Sequence, residues 1–430
     1  VGDPVRVALL GCGTVGAEVA RAMLDAGSAA ALAEAAGATL ELVGVAVARE
    51  GVPRDGLSPS LVTTDASALV ATAPDVVVEL IGGLGEVEGL VRQALEARCS
   101  VVTANKALLA ARLRELSELA ASREVDLLYE AAVAGAIPIV RVLRDSLASE
   151  PIQRVLGIVN GTTNFLLTTM AREGCELDEA LATATALGLA ERDPSADLDG
   201  HDAAQKAAIL ASLAFRAEVT DADVPRVGIA KVTLEDVDAA RRMGHVVRLL
   251  AVAERVGVDV SVRVHPAMVP ASHPLAAVDG ASNAVFVEGD RLGPLMLEGR
   301  GAGGPPTATA VLGDLAVAAR HRATGVVGRA PTIAAAARLV PPGEVRSAFY
   351  LAIRVIDRPG VLAAVAQVFG DRGVSIRSME QTGLGADARL VFLTHEAAAA
   401  DLDATVADLG RLDAVAEVGA VLDVVGGEGS

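Results

Sequence analysis

The stretch VRVALLGCGTVGAEVARAML, residues 5–24, decides how the N-terminal part of the chain is built. Val5–Leu10 is a short apolar run and reads as a buried strand. Gly11-Cys12-Gly13-Thr14-Val15-Gly16 follows, then a helical pattern from Ala17 to about Ala26. Strand, glycine-rich turn and helix in this order carry the spacing GxGxxG. Gly11 permits a tight turn, Gly13 lets the backbone approach a pyrophosphate, and Gly16 lets the helix pack closely on the strand. The helix N-terminus offers its N–H groups to the phosphates. The stretch therefore points to nucleotide binding, although such turns also serve only as turns. Cys12 reads as a small packing residue.

Working outward, a second strand, Leu40–Ala48, ends in Ala48-Arg49-Glu50. An acid at this strand end accepts hydrogen bonds from the ribose 2′-OH of NAD, whereas an arginine meets the 2′-phosphate of NADP. Arg49 favours NADP; Glu50 keeps NAD open, as does the reading of Arg49 as a solvated charge. Two more strand-like runs follow. Asp75–Ile81 ends at Gly82-Gly83, and Ser100–Thr103 ends in Ala104-Asn105-Lys106. Ligands of open parallel sheets lie beyond the carboxyl ends of the strands, where the glycine pair and Lys106 fall. A cation at a helix start is disfavoured by the macrodipole, so a surface-charge reading explains Lys106 poorly.

The 430 residues suggest two to four domains. Hydrophobic residues make up 52% but aromatics only 2%, so the core is built from Ala, Val, Leu and Ile, which suits parallel strands covered by helices. A formal charge of −18 argues against nucleic acid or a membrane surface as partner. No apolar run reaches the roughly 18 residues of a membrane span, and no secretory signal is visible. Cys12, Cys99 and Cys175 are sparse and show no zinc spacing, which leads to the expectation of a reducing cytoplasm.

The middle of the chain carries the candidate chemistry. Glu130–Pro138 is a small-residue loop with one acid; carbonyls plus a carboxylate suit a hard cation, and a plain turn is the alternative. Gly157–Phe165 contains NGTTNF, a polar turn opening a helix, which either holds a carboxylate or only caps the helix. Residues 187–202, LGLAERDPSADLDGHD, place acids in an irregular segment before another helix. That helix presents Asp202 and Lys206 at i and i+4 on one face, and is otherwise apolar. An exposed ion pair would work as well with arginine. Lysine is used only three times, at Lys106, Lys206 and Lys231, among 37 Lys and Arg residues. Only lysine can lose its proton near neutral pH when its surroundings shift its pKa. Lys206 is therefore the candidate proton-transfer residue. Lys231, in GIAKVTLED, reads as a surface charge. The six histidines show no metal spacing, and His201 reads as peripheral.

The motifs GCGTVG, DVVVELIGG, VVTANKALLA, EAAVAGAIPI, NGTTNF, GLAERDPSADLDGHDAAQK and GRGAGGPPTATAVLGDL together resemble homoserine dehydrogenase of the monofunctional type with a C-terminal ACT domain. No aspartate-kinase segment precedes the nucleotide fold, hence the expectation of the monofunctional form. The resemblance implies an α/β chain in three parts. These are a Rossmann NAD(P)-binding domain over 1–131 completed by 300–325, an α+β substrate-binding and oligomerisation domain over 132–299, and a ferredoxin-like ACT regulatory domain over 346–430. It implies reversible interconversion of L-aspartate 4-semialdehyde and L-homoserine, in threonine, methionine and isoleucine biosynthesis. Lys206 falls on the family's catalytic lysine and Lys106 on its second active-site lysine, with Asp202 beside them. Glu191 and Asp202 fall on substrate-binding acids, with Asp197 in support and Thr163 in the turn that holds the substrate's other polar end. Gly11, Gly13, Thr14, Val15, Gly16, Arg49, Gly82, Lys106 and Gly303 fall on the cofactor site. Glu130, Val133, Gly135 and Ile137 fall on a monovalent cation site, with sodium the expected ion. The expected assembly is a homodimer or homotetramer.

After a linker at Leu339–Gly343 the pattern changes. A strand at Ala348–Val355, the turn DRPGVL into a helix, strands at Ser375–Gln381 and Arg389–Thr394, a helix at about Ala398–Leu409 and a strand at Ala416–Val424 give βαββαβ. This resembles an ACT domain, implying an amino-acid effector, threonine most often, with Gly360 freeing backbone groups for it; a purely oligomeric role is the alternative. A semialdehyde dehydrogenase would need a nucleophilic cysteine, and Cys175 reads instead as a helix-connecting position. A non-enzymatic amino-acid sensor would not need a lysine at position 206.

Overall fold

The computed structural model describes residues 3–49, 51–52, 54, 56–326, 333–383 and 388–426, which divide into two units. The first unit is formed by residues 1–152, 205–223 and 288–337, the second by 153–204, 224–287 and 338–430.

In the first unit, alternation of short apolar runs with helices yields an all-parallel sheet. Its strands are β1 (Val5–Leu10), β2 (Leu40–Ala46), β3 (Val62–Thr63), β4 (Val76–Glu79), β5 (Ser100–Thr103) and β6 (Leu127–Leu128). Their order is β3-β2-β1-β4-β5-β6, with every pairing parallel. The chain reverses its direction of travel across the sheet between β1 and β4, and such a switch point is where doubly wound sheets bind dinucleotides. Leu10 pairs with Glu79 and Glu79 with Thr103, so these residues form one row at the carboxyl ends of three strands.

The first helix begins at Thr14, not Ala17, because Gly13 itself is the N-cap; it ends at Leu24. It buries Gly16, Val19, Ala20 and Met23, the i, i+3, i+4, i+7 stripe of a helix lying on a sheet. A second helix, Ala26–Ala36, was not expected; the Asp25 carboxylate caps it by accepting from the Ser28 N–H at 2.9 Å. The helix Gly304–Thr324 puts Val311, Leu315 and Ala318 into the same core as Val7, Leu9 and Val19. Each of these buried Val and Leu side chains stabilises the unit by about 1.5–3 kcal/mol.

In the second unit, one mixed sheet runs in the order Ser282–Gly289, Ile152–Ile158, His245–Val256, Asp259–Pro270, Val415–Val424, Arg346–Val355, Ala388–Thr394, Ile376–Thr382. His245–Val256 and Asp259–Pro270 form a long antiparallel ribbon. The C-terminal segment has the expected βαββαβ order, with helices Val361–Asp371 and Ala399–Leu409, and its own core around Leu351, Val365, Phe369, Phe392 and Leu402. It joins the ribbon by a short parallel pairing, Ala267 with Asp423 and Met268 with Val424. A second join is polar. Asp236 of the helix Leu234–Arg242 accepts from the Tyr350 hydroxyl at 2.8 Å and from Arg389. Among the described residues no helix is long and apolar enough to cross a membrane.

Candidate active site

In the glycine-rich turn, Gly11 and Gly16 are held to glycine by close backbone contacts, and Gly13 is not. Gly11 has φ +95°, and a Cβ there would lie 2.7 Å from the Leu80 carbonyl carbon and oxygen. A Cβ on Gly16 would lie 2.2 Å from the Gly11 oxygen. At Gly13 a Cβ would meet nothing within 4 Å, which leaves the turn open on the side where a pyrophosphate would approach. Thr14 is exposed and Val15 half-buried, both in the first turn of the helix. Cys12 packs at the edge of the core. Gly303, at φ +114°, is the N-cap of the helix Gly304–Thr324, and a Cβ on Gly304 would lie 3.1 Å from the Thr14 Cγ2. Two helix N-termini thus meet at Thr14. Neither has an acid in its first turn, so neither positive end is neutralised by its own sequence. Arg49 is exposed just beyond β2, its carbonyl accepting from Arg54; Glu50 lies outside the described residues.

At the switch point the central residue is one the sequence reading passed over. Glu79 is wholly buried at the end of β4. One carboxylate oxygen accepts from the Ile81 and Gly82 N–H groups at 2.8 and 2.9 Å, and the other accepts from the Thr103 hydroxyl at 2.6 Å. The Thr103 oxygen in turn accepts from the Asn105 N–H at 3.0 Å, while the Asn105 side chain donates to the Gly83 carbonyl at 2.7 Å and accepts from the Leu108 N–H. This network fixes Gly82 and Gly83, both at positive φ, and the start of the helix Lys106–Arg123. Lys106 is the first residue of that helix and is half-buried. The available signal was a charge inside the apolar run DVVVELI.

In the second unit the turn NGTTNF meets the acidic segment. Asn160 is the N-cap of the helix Gly161–Glu173. Its amide oxygen accepts from the Thr163 N–H and hydroxyl, at 2.9 and 3.0 Å. Its amide nitrogen donates to Asp197 at 2.6 Å and to Asp202 at 2.8 Å. One NH₂ group carries two hydrogens, one for each carboxylate. The turn therefore caps its helix, and its Asn160 amide engages two of the protein's own carboxylates. The Thr163 hydroxyl is buried and turned onto Asn160. Thr162 donates to the Leu189 carbonyl at 3.0 Å, tying down the loop on which Glu191 stands exposed. Asp202 and Lys206 lie one turn apart on the helix His201–Phe215 and are 7% and 9% exposed, so they are not a solvated surface pair. His201 and Lys231 are exposed, as expected.

The Glu130 loop is buried, not open. The Glu130 carboxylate accepts from the Val140 and Arg141 N–H groups at 2.8 and 2.9 Å, and its own N–H donates to Asp314. Burial, reinforced by the Asp314 charge, pushes Glu130 up to about 7 against those N–H bonds. Ala134 and Gly135 both have positive φ, which gives the loop its sharp bend. Val133, Gly135 and Ile137 supply backbone carbonyls, of which Ile137 accepts from Ile139. Among the described residues no group of three or more His, Cys, Asp or Glu is suited to a metal. One carboxylate with carbonyls is a hard oxygen set of low charge, which fits a monovalent cation better than a divalent one.

Comparisons with known proteins agree along the whole chain. Residues 11–130 match the family model described as homoserine dehydrogenase, NAD binding domain; residues 138–316 match homoserine dehydrogenase, and 349–414 match the ACT domain. The homoserine dehydrogenase of Corynebacterium glutamicum is 48% identical over 429 residues, covering 98% of this chain and 96% of that one. That of Bacillus subtilis is 38% identical, covering 98% of each. The crystal structure of a homoserine dehydrogenase from Thiobacillus denitrificans superimposes with a TM-score of 0.90 at 36% identity, covering 98% of both chains. A hyperthermophilic archaeal homoserine dehydrogenase mutant in complex with NADPH has a TM-score of 0.61 at 29% identity, covering 74% of this chain and 98% of that one. With these relatives added to the nucleotide turn and the acid cluster, the chain belongs to the homoserine dehydrogenase family of nicotinamide-dependent oxidoreductases.

Proposed function

We propose that this chain interconverts L-aspartate 4-semialdehyde and L-homoserine, with Lys206 exchanging the proton at the C4 oxygen. The observation that carries the reading is the Asn160 amide holding Asp197 and Asp202 together at the head of the helix that bears the buried Lys206. Two carboxylates bound by one neutral amide concentrate negative charge, and the substrate's ammonium is the natural counter-charge. Glu191, exposed on the neighbouring loop, adds to that pole. Thr163 acts through Asn160, which it orients.

The nicotinamide, when bound, supplies or accepts the hydride. Gly11, Gly13, Thr14, Val15, Gly16, Gly82 and Gly303 shape its cradle, with the two helix N-termini facing the phosphates. Lys206 donates a proton to the substrate oxygen in reduction and, when neutral, removes the hydroxyl proton in oxidation. Lys106 shares in stabilising the charge that builds on that oxygen. Replacing Lys206 with Ala should lower kcat by about 10²–10⁴-fold with folding intact. Near-wild-type turnover in a coupled NADPH assay would overturn the assignment.

Arg49 at the end of β2 supports NADP over NAD, in keeping with the NADPH named for the archaeal relative. Glu130, Val133, Gly135 and Ile137 would hold sodium or a similar ion, which would offset the buried carboxylate. The C-terminal segment would bind an amino-acid effector, threonine first, with Gly360 at φ +92° opening the helix Val361–Asp371. Residues 132–299 would mediate assembly into a dimer or tetramer.

A further inference from the structure

Two loops of the first unit carry groups that the proposed chemistry uses: Gly82 follows β4, and Lys106 lies just beyond β5. The first loop is poorly packed. Ile81 and Leu84 are 48% and 53% exposed, and a Cβ on Gly82 or Gly83 would meet nothing within 4 Å. Residues 81–84 therefore gain little from burial, and their place depends on hydrogen bonds.

Those bonds close a ring with the second loop. The Ile81 and Gly82 N–H groups donate to one oxygen of Glu79, and the Thr103 hydroxyl donates to the other. The Asn105 N–H donates to the Thr103 oxygen, and the Asn105 amide donates to the Gly83 carbonyl, back in the first loop. The ring continues into the helix Lys106–Arg123, because Asn105 is its N-cap and accepts from the Leu108 N–H at 3.1 Å. Glu79 and Thr103 are wholly buried and Asn105 is 4% exposed, so the ring is shielded from solvent.

The ring has a fixed direction. A backbone N–H only donates, so the Thr103 oxygen accepts from Asn105 and gives its own hydrogen to Glu79. Glu79 must accept at both oxygens. A glutamine of the same shape cannot do this. Its oxygen is needed by the Ile81 and Gly82 N–H groups, which leaves its NH₂ facing Thr103. The Thr103 oxygen would then meet two donors, and its own hydrogen would lose its acceptor. An orphaned buried donor carries the full cost of its desolvation, and the loops shift to relieve it.

We infer that Glu79 is a positioning residue for hydride transfer: acting through Thr103 and Asn105, it holds Lys106 in register with the Gly82-Gly83 loop. The inference rests on the reading of Lys106 as a group that stabilises charge on the substrate oxygen.

Single-turnover oxidation of NADPH by the full chain, with saturating aspartate semialdehyde, tests it. Glu79→Gln and Thr103→Val break the same bond from its two ends, and each should slow hydride transfer by about 10–100-fold. Thr103→Ser keeps the hydroxyl and should keep the wild-type rate. KM for the semialdehyde should stay unchanged in all three, because Asp197 and Asp202 belong to the second unit. Lys106→Met alone should lose about 10²–10³-fold. Adding Glu79→Gln to Lys106→Met should cause no further loss, since the group that Glu79 positions is gone. Titration of cofactor fluorescence identifies the folded variants; if Glu79→Gln does not bind cofactor, Thr103→Val reads the same bond in its place. Wild-type rates in Glu79→Gln and Thr103→Val would overturn the inference, as would a loss in Thr103→Ser equal to that in Thr103→Val. A full further loss on adding Glu79→Gln to Lys106→Met would also overturn it, because Glu79 would then act without Lys106. Near-wild-type turnover in Lys106→Met would overturn the reading of Lys106 itself, and its positioning by Glu79 with it.

Discussion

At the nucleotide turn backbone sterics set the shape: Gly11 and Gly16 leave no room for a Cβ, while Gly13 stays open. At the acid cluster the reverse holds: a single amide side chain gathers two carboxylates that are 37 and 42 positions away in sequence. The first region is specified by backbone sterics, the second by assembly of side chains. Errors should therefore act differently. A wrong residue in the turn should stop it from forming, whereas one in the cluster should leave the fold and misplace charge.

The largest effect that tests this contrast is Gly16→Val. Its Cβ would lie 2.2 Å from the Gly11 oxygen, against backbone that has nowhere to move. Overpacking of this kind costs about 3 kcal/mol or more, and titration of cofactor fluorescence should show no binding. Normal binding by a folded variant would break the steric account of the turn. Next comes Asn160→Ala, which removes the shared donor from both carboxylates. The expected loss is about 10–100-fold in kcat/KM, corresponding to about 1–3 kcal/mol for deleting one buried partner, with cofactor binding intact. An equal loss of cofactor binding would show that the two regions are not independent. Arg49→Ala is smaller still: KM for NADP should rise about 10-fold, as loss of a charge-assisted contact implies, with KM for NAD unmoved.

The smallest effect is in pH dependence, at the join between the ribbon and the C-terminal segment. Burial pushes His265 below its ordinary 6.5, with Arg263 acting the same way and Asp423 and Glu254 opposing. The unfolded chain then binds the proton more readily than the folded one. Stability from this site is full above pH 6.5 and falls below it, by at most about 1.4 kcal/mol per pH unit. Thermal melts of His265→Gln between pH 7 and pH 5 should be flatter than wild type; parallel curves would remove His265 from the account.

Legibility in the sequence followed the same division. GxGxxG, the pair Gly82-Gly83 and the βαββαβ order were readable because glycine spacing and apolar periodicity answer to constraints within a few residues. Lys206 stood out as a candidate for a chemical reason, since proton transfer needs a side chain that arginine cannot replace. The helix Ala26–Ala36 was missed because its composition is nearly all Ala, Gly and Ser, without a strong apolar stripe. Glu79 was passed over because a lone acid in an apolar strand gives no sign of what it will meet. Thr103 and the Gly82 N–H reach it only when β4 and β5 lie side by side.

By itself the sequence determined the nucleotide turn and the class of each domain, and it singled out Lys206 as the candidate for proton transfer. Only the tertiary structure decided that Asn160 joins Asp197 to Asp202 and that Glu79 organises the switch point. The reason is physical. The need for glycine at position 16 is set by an atom of its own turn, the Gly11 oxygen, but a buried carboxylate or amide is satisfied by whichever partners the packed fold brings within hydrogen-bonding distance.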